Sequence, residues 1–107
     1  MERLPRKELI YDMLVKEPND VFLNYALALE HVATENLVEA EEQFLKTLSL
    51  QPEYLPCYYQ LGQLYEKHGG NINNALDYYK KGVELATKQG NKKALGELNE
   101  AIWLLED

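Results

Sequence analysis

His31, His68 and Cys57 carry the side chains best suited to metal binding or nucleophilic chemistry, and their neighbours in the sequence decide how far that suitability goes. A metal site gathers several His, Cys or carboxylate ligands at short spacing. The two histidines stand far apart and neither has such a companion, so packing or solvent exposure is the expected fate of both. Cys57 has no basic residue beside it to stabilise a thiolate, which argues against a catalytic thiol. Gly69-Gly70-Asn71 precedes a predicted helix and could offer backbone amides to an anion, but no Gly-Lys-Ser/Thr follows, and a loop insertion is the simpler reading. Glu39, Glu41 and Glu42 near a helix start favour the helix dipole and face water. No loop with alternating oxygen ligands for calcium is present. With no nucleophile, base and orienting group at any helical spacing, the chain is expected to be no enzyme and to hold no metal or cofactor.

What remains is the set of elements that such residues sit on. At 107 residues the chain is read as one domain, able to bury roughly 65% of its surface without staples. A lone cysteine and a charged start, Met1 to Glu8, with no apolar stretch after it, lead us to expect a reducing, cytoplasmic setting and no secretory leader. Apolar runs such as Ala26 to Leu29 are too short to span a bilayer. The net charge of −7 argues against nucleic acid. Most of it lies between Asn19 and Tyr54, where Asp20, Glu30, Glu35, Glu39, Glu41, Glu42 and Glu53 face Lys46 alone. Residues Leu55 to Lys88 are slightly basic.

Apolar periodicity predicts helices almost throughout. Leu9, Ile10, Met13 and Leu14 form a stripe in a helix from Pro5 to Lys16, which Pro18 ends. Asn19 or Asp20 then caps a helix from about Val21 to Thr34 that is apolar on more than one face. Asn36 with Glu39 reads as a capping box for a helix to Leu50, whose inward face is Leu37, Ala40, Phe44, Thr47 and Leu48. Next comes a helix with Pro56 in its first turn and Tyr58, Leu61, Gly62 and Tyr65 on one face. After the Gly69-Gly70 break, Asn71 opens a helix from Ile72 to Lys88 that presents Ala75, Tyr79, Gly82 and Val83. Gly90 marks its end. A last helix, Lys92 to Leu105, lines up Leu95, Leu98, Ile102 and Leu105.

The strongest pattern is an internal repeat. Leu27-Ala28, Leu61-Gly62 and Leu95-Gly96 recur at intervals of 34, as do Pro18 and Pro52. Ala40 and Phe44 reappear as Ala75 and Tyr79 after 35, the extra residue being assigned to the Gly69-Gly70 turn. Tyr58-x2-Leu61-Gly62-x2-Tyr65, followed by Ala75-x3-Tyr79, resembles the tetratricopeptide repeat. The first repeat matches through Leu27, Ala28, Ala40, Phe44 and Pro52 but has Asn24 and His31 at two positions that are usually aromatic. The second has Thr87 in place of the usual proline. The resemblance implies an all-α fold, an α-solenoid of antiparallel helix pairs in a right-handed superhelix with about six helices. Its parts would be an N-terminal helix (1–18), repeat 1 (19–54), repeat 2 (55–90) and a C-terminal capping helix (91–107).

In that family the first helix of each repeat lines a concave groove that commonly takes a peptide or helix. On the matching positions here, repeat 1 would offer Phe22, Tyr25, Ala26, Leu29, Val32 and Ala33. Repeat 2 would offer Tyr59, Gln60, Gln63, Glu66 and Lys67, and the last helix Lys93, Glu97 and Glu100. Members that grip a C-terminal carboxylate have Lys, Arg and Asn where Tyr25, Leu29 and Gln60 stand, so the resemblance does not extend to that activity. An apolar half beside a polar half implies an amphipathic or apolar segment of a partner protein, anchored on Tyr25 and Tyr59 and held weakly because the groove is short. The leading expectation is therefore a protein-binding adaptor. An alternative is self-association as a weak homodimer through Trp103, Leu104 and the first-repeat face, against which stands the simpler reading that Trp103 closes the open end of the solenoid.

Overall fold

Residues 5–106 are described by the structure, a computed structural model. Among them are six α-helices: α1 Arg6–Lys16, α2 Val21–Ala33, α3 Leu37–Leu50, α4 Pro56–Leu64, α5 Ile72–Gln89 and α6 Lys92–Glu106. A π-helical turn, Tyr65–Gly69, prolongs α4. Within α1 to α3, and again within α4 to α6, successive helices pair antiparallel, as the repeat requires.

The helix starts are set by short polar side chains. Asp20 accepts from the Leu23 amide at 2.8 Å, Asn71 from Asn74 at 3.0 Å and Asn91 from Ala94 at 3.1 Å. Pro56 occupies the first turn of α4, where no amide is needed. The capping box expected at Asn36 and Glu39 does not form, because the Thr34 hydroxyl lies within reach and takes the Asn36 amide at 3.2 Å. Three helix ends share one device, a left-handed residue followed by Asn. Glu35 (φ 59°), Gly70 (φ 59°) and Gly90 (φ 66°) turn the chain. The next amide then closes the end, Asn36 onto His31 O and Asn91 onto Ala86 O. Asn71 reaches one residue further back, to Tyr65 O, because the π turn holds the additional residue of the second repeat.

Two compact units result, Met1–Pro52 and Glu53–Asp107. In the first, α2 and α3 bury Leu23, Leu27, Ala28, Ala40, Phe44 and Thr47. Asn24 is also fully buried: its Nδ2 donates to Pro18 O and Asp20 O, and its Oδ1 accepts from Gln43 on α3. It thus stitches the turn before α2 to the partner helix, work that an aromatic ring could not do. Helix α1 is held on α2 by Ile10, packed with Ala26 and Leu27. Leu9 and Met13, expected on the buried stripe, are instead 45% and 51% exposed, since a single neighbouring helix can cover only a narrow face.

In the second unit Leu55, Ala75, Tyr79, Ala86, Leu98 and Ala101 form the core joining α4, α5 and α6. Gly62 lies directly beneath the Tyr79 ring; a Cβ there would fall inside any tolerable contact. Gly82 does the same for α5, where a Cβ would stand 3.0 Å from Leu98 and 3.2 Å from Tyr58. No helix among the described residues is long and apolar enough to cross a membrane.

Candidate functional site

The second unit carries an open recess of about 160 Å³ lined by Tyr59, Gln63, Glu66, Glu97, Glu100, Ala101 and Leu104. Helical spacing builds both of its walls. Tyr59, Gln63 and Glu66 fall at i, i+4 and i+7 along α4 and its π turn, and Glu97, Glu100, Ala101 and Leu104 at i, i+3, i+4 and i+7 along α6. Behind the α4 wall lies Tyr79, which is fully buried and ties two of the lining residues together through its hydroxyl. That hydroxyl donates to Glu66 Oε1 at 2.8 Å and accepts from Gln63 Nε2 at 2.7 Å. Tyr59 leans on the same ring, with centroids 5.9 Å apart.

Burial, and then the hydrogen bond and charge of Glu66, push the Tyr79 phenol well above the ordinary tyrosine range. It therefore stays a neutral donor and fixes the orientation of Glu66 and Gln63. Glu97 and Glu100 are exposed, and among the described residues neither is ion-paired. Three carboxylates, an aromatic ring, an amide and the methyls of Leu104 thus share one concave surface. Such a lining suits a long cationic side chain, whose stem can lie on Tyr59 and Leu104 while its head meets the carboxylates.

Of the residues singled out from the sequence, the recess unites Tyr59, Gln63, Glu66, Glu97 and Glu100 with Leu104. Gln60 is half-buried, Lys67 and Lys93 are exposed, and none of the three lines the recess. Trp103 is 69% exposed. The hydrogen bonds of the Tyr79 hydroxyl and the place of Ala101 in the lining were not legible: Tyr79 read as core and Ala101 was not singled out, and only the packing of α5 and α6 against α4 shows both.

The first unit is more closed. Phe22 is exposed, whereas Tyr25, Leu29 and Val32 are half-buried, with the Tyr25 ring 6.0 Å from that of Phe44. Ala26, expected at the groove, is buried with Ile10 and Leu27 beneath α1. A second recess lies among Tyr11, Leu14, Val15, Pro18, Asn24, Leu27, Gln43 and Lys46, but Asn24 and Gln43 are already committed to each other there. Cys57 is buried and His68 is exposed. His31 is buried, and burial, with Lys7 adding to it, lowers the imidazole pKa against the weaker opposing pull of Glu39. Among the described residues no group of three or more His, Cys, Asp or Glu could hold a metal ion.

Comparison with known proteins points one way. Residues 55–89 match the model of the tetratricopeptide repeat. The crystal structure of a tetratricopeptide repeat domain protein from Salinibacter ruber is 38% identical, with 81% of this chain and 96% of that one aligned at a TM-score of 0.75. A solution structure of a tetratricopeptide repeat domain protein from the same organism, also 38% identical, aligns over 83% and 89% at 0.77. A protein from Bordetella parapertussis, 19% identical, shares the fold over 97% of this chain and 90% of its own, at 0.86. No curated protein matches the chain.

Proposed function

Because the chain belongs to the tetratricopeptide repeat family, we propose that it is an interaction module whose second unit binds an amphipathic segment of a partner protein, with a lysine or arginine of that segment seated in the recess. Modules of this family typically mediate protein–protein interaction. The observation that carries the finer reading is that Glu66, Glu97 and Glu100 line one recess together with Tyr59, two of them without an ion-pair partner among the described residues. Exposed carboxylates facing one recess repel each other, and a cation relieves that repulsion. Apolar contact with Tyr59 and Leu104 adds to the attraction. The surface is small, so affinity in the micromolar range is expected unless several copies act together.

The test is direct titration of short amphipathic peptides of lysine-rich, glutamate-rich and uncharged composition, followed by Trp103 emission and calorimetry. The lysine-rich peptide should bind, and a Glu97→Gln, Glu100→Gln double variant should lose about tenfold in affinity or more, equivalent to about 1.4 kcal/mol. Equal binding of the three peptides, or an unaffected double variant, would remove the charge assignment. Self-association is a second reading, supported by the 69% and 63% exposure of Trp103 and Leu104. Sedimentation at rising concentration separates the two: a monomer at every concentration excludes the dimer.

A further inference from the structure

Helix α1 is an element held in place by very little. Of its eleven residues only Ile10 is buried, while Leu9, Met13 and Val15 remain largely exposed. Besides the small cluster of Ile10, Leu14, Ala26 and Leu27, three polar or aromatic contacts tie it to α2 and the turn after it. Arg6 pairs with Glu30 at 3.3 Å, Lys7 donates to the Thr34 hydroxyl at 3.0 Å, and Tyr11 meets His31 edge to face with ring centroids 6.4 Å apart. An element with so few buried apolar contacts has a small free energy of docking, so one altered interaction can shift its equilibrium.

His31 lies under that helix. It is 5% exposed, and its Nδ1 is buried with no hydrogen-bond partner. The groups facing it are the cation of Lys7 and the phenol of Tyr11 from α1, and the carboxylate of Glu39 from α3; Glu30 on its own helix is engaged by Arg6. A neutral ring is tolerated in such a place, and a protonated one is disfavoured. Protonation would bury a charged ring with a nitrogen that has no acceptor and set it near Lys7. Lifting α1 gives the ring water and separates it from Lys7.

We propose that His31 makes the docking of α1 on α2 conditional on pH, so that acidification releases α1 and uncovers the Ala26 and Leu27 face it hides. The direction of the titration agrees. Burial first, and Lys7 second, hold the imidazole below its ordinary value of about 6.5 in the docked state, and Glu39 opposes them only in part. The undocked state therefore binds more protons between the two values. Docking is at full strength above about pH 6.5 and weakens as the pH falls below it.

The experiment uses the whole chain. Amide hydrogen exchange is measured between pH 7.5 and 5, corrected for its intrinsic pH dependence, while the ring-proton shifts of both histidines are followed by NMR. The expected result is that His31 titrates below the ordinary imidazole value of about 6.5 and that protection of the α1 amides is lost over the same range, with α6 unaffected. In His31→Phe, which keeps a ring but cannot take a proton, α1 protection should no longer depend on pH. Constant α1 protection across the His31 titration in the unaltered protein would overturn the proposal, whether or not the variant folds, and so would a variant that kept the pH dependence.

Discussion

At the scale of single residues, the two glycines that recur at an interval of 34 have opposite roles. Gly62 is fully enclosed and faces the Tyr79 ring, whereas Gly96 meets nothing within 4 Å on the exposed side of α6. Gly62→Ala should therefore cost about 1–3 kcal/mol through overpacking. Gly96→Ala should stabilise the protein by about 0.5–1 kcal/mol, because the helix interior gains a residue of better propensity and nothing is displaced. Urea unfolding of both variants decides the matter; the same sign in both would contradict this packing. Asn24 and His31 mark the other residue-scale lesson. Each stands where the repeat usually has an aromatic ring and each is buried, yet only Asn24 is hydrogen-bonded through its side chain, leaving His31 open to titration.

Among the elements, the turns are where the repeats differ. Glu35 adopts the left-handed conformation that Gly70 and Gly90 adopt at the other two ends, and a residue with a Cβ is strained there by about 1–2 kcal/mol. Glu35→Gly should raise the unfolding free energy by about 1 kcal/mol once the added freedom of the unfolded chain is counted. A loss of stability in thermal or urea unfolding would show that the Glu35 side chain makes a contribution of its own. The π turn Tyr65–Gly69 accommodates the one-residue excess of the second repeat without moving Ala75 and Tyr79 off the buried face. It also places Glu66 on the recess wall, so the insertion shapes the proposed site as well as the connection.

For the molecule as a whole, charge is the property with the widest reach. A net charge of −7 and an acidic recess both favour a basic partner, and such attraction is screened as salt rises. Affinity for the lysine-rich peptide should fall several-fold between about 50 mM and 500 mM salt, read by the same titration, with the larger change in the association rate. A salt-independent affinity would mean that Tyr59 and Leu104, and not the carboxylates, supply the binding. Each compact unit has its own buried cluster, Ile10, Ala26 and Leu27 in one and Leu55, Tyr79 and Leu98 in the other. Substitutions in one cluster can therefore be assessed against the other as an internal reference.

The order and ends of the helices, the two repeats and their buried Ala, Phe and Tyr positions were determined by sequence alone, because periodicity and capping are local rules that neighbours along the chain enforce. The expectation that Tyr59, Gln63, Glu66, Glu97 and Glu100 share one surface followed from the family resemblance. Tertiary structure alone decided which apolar residues of α1 stay in water, that the Asn24 side chain is bonded while that of His31 is not, and that Leu104, expected at a self-association surface, lines the same recess as Glu66, Glu97 and Glu100. Those outcomes depend on distances between residues remote in sequence. The same Leu-Gly pair reads alike at 61–62 and 95–96, and only the presence of Tyr79 against one and open space beside the other distinguishes them.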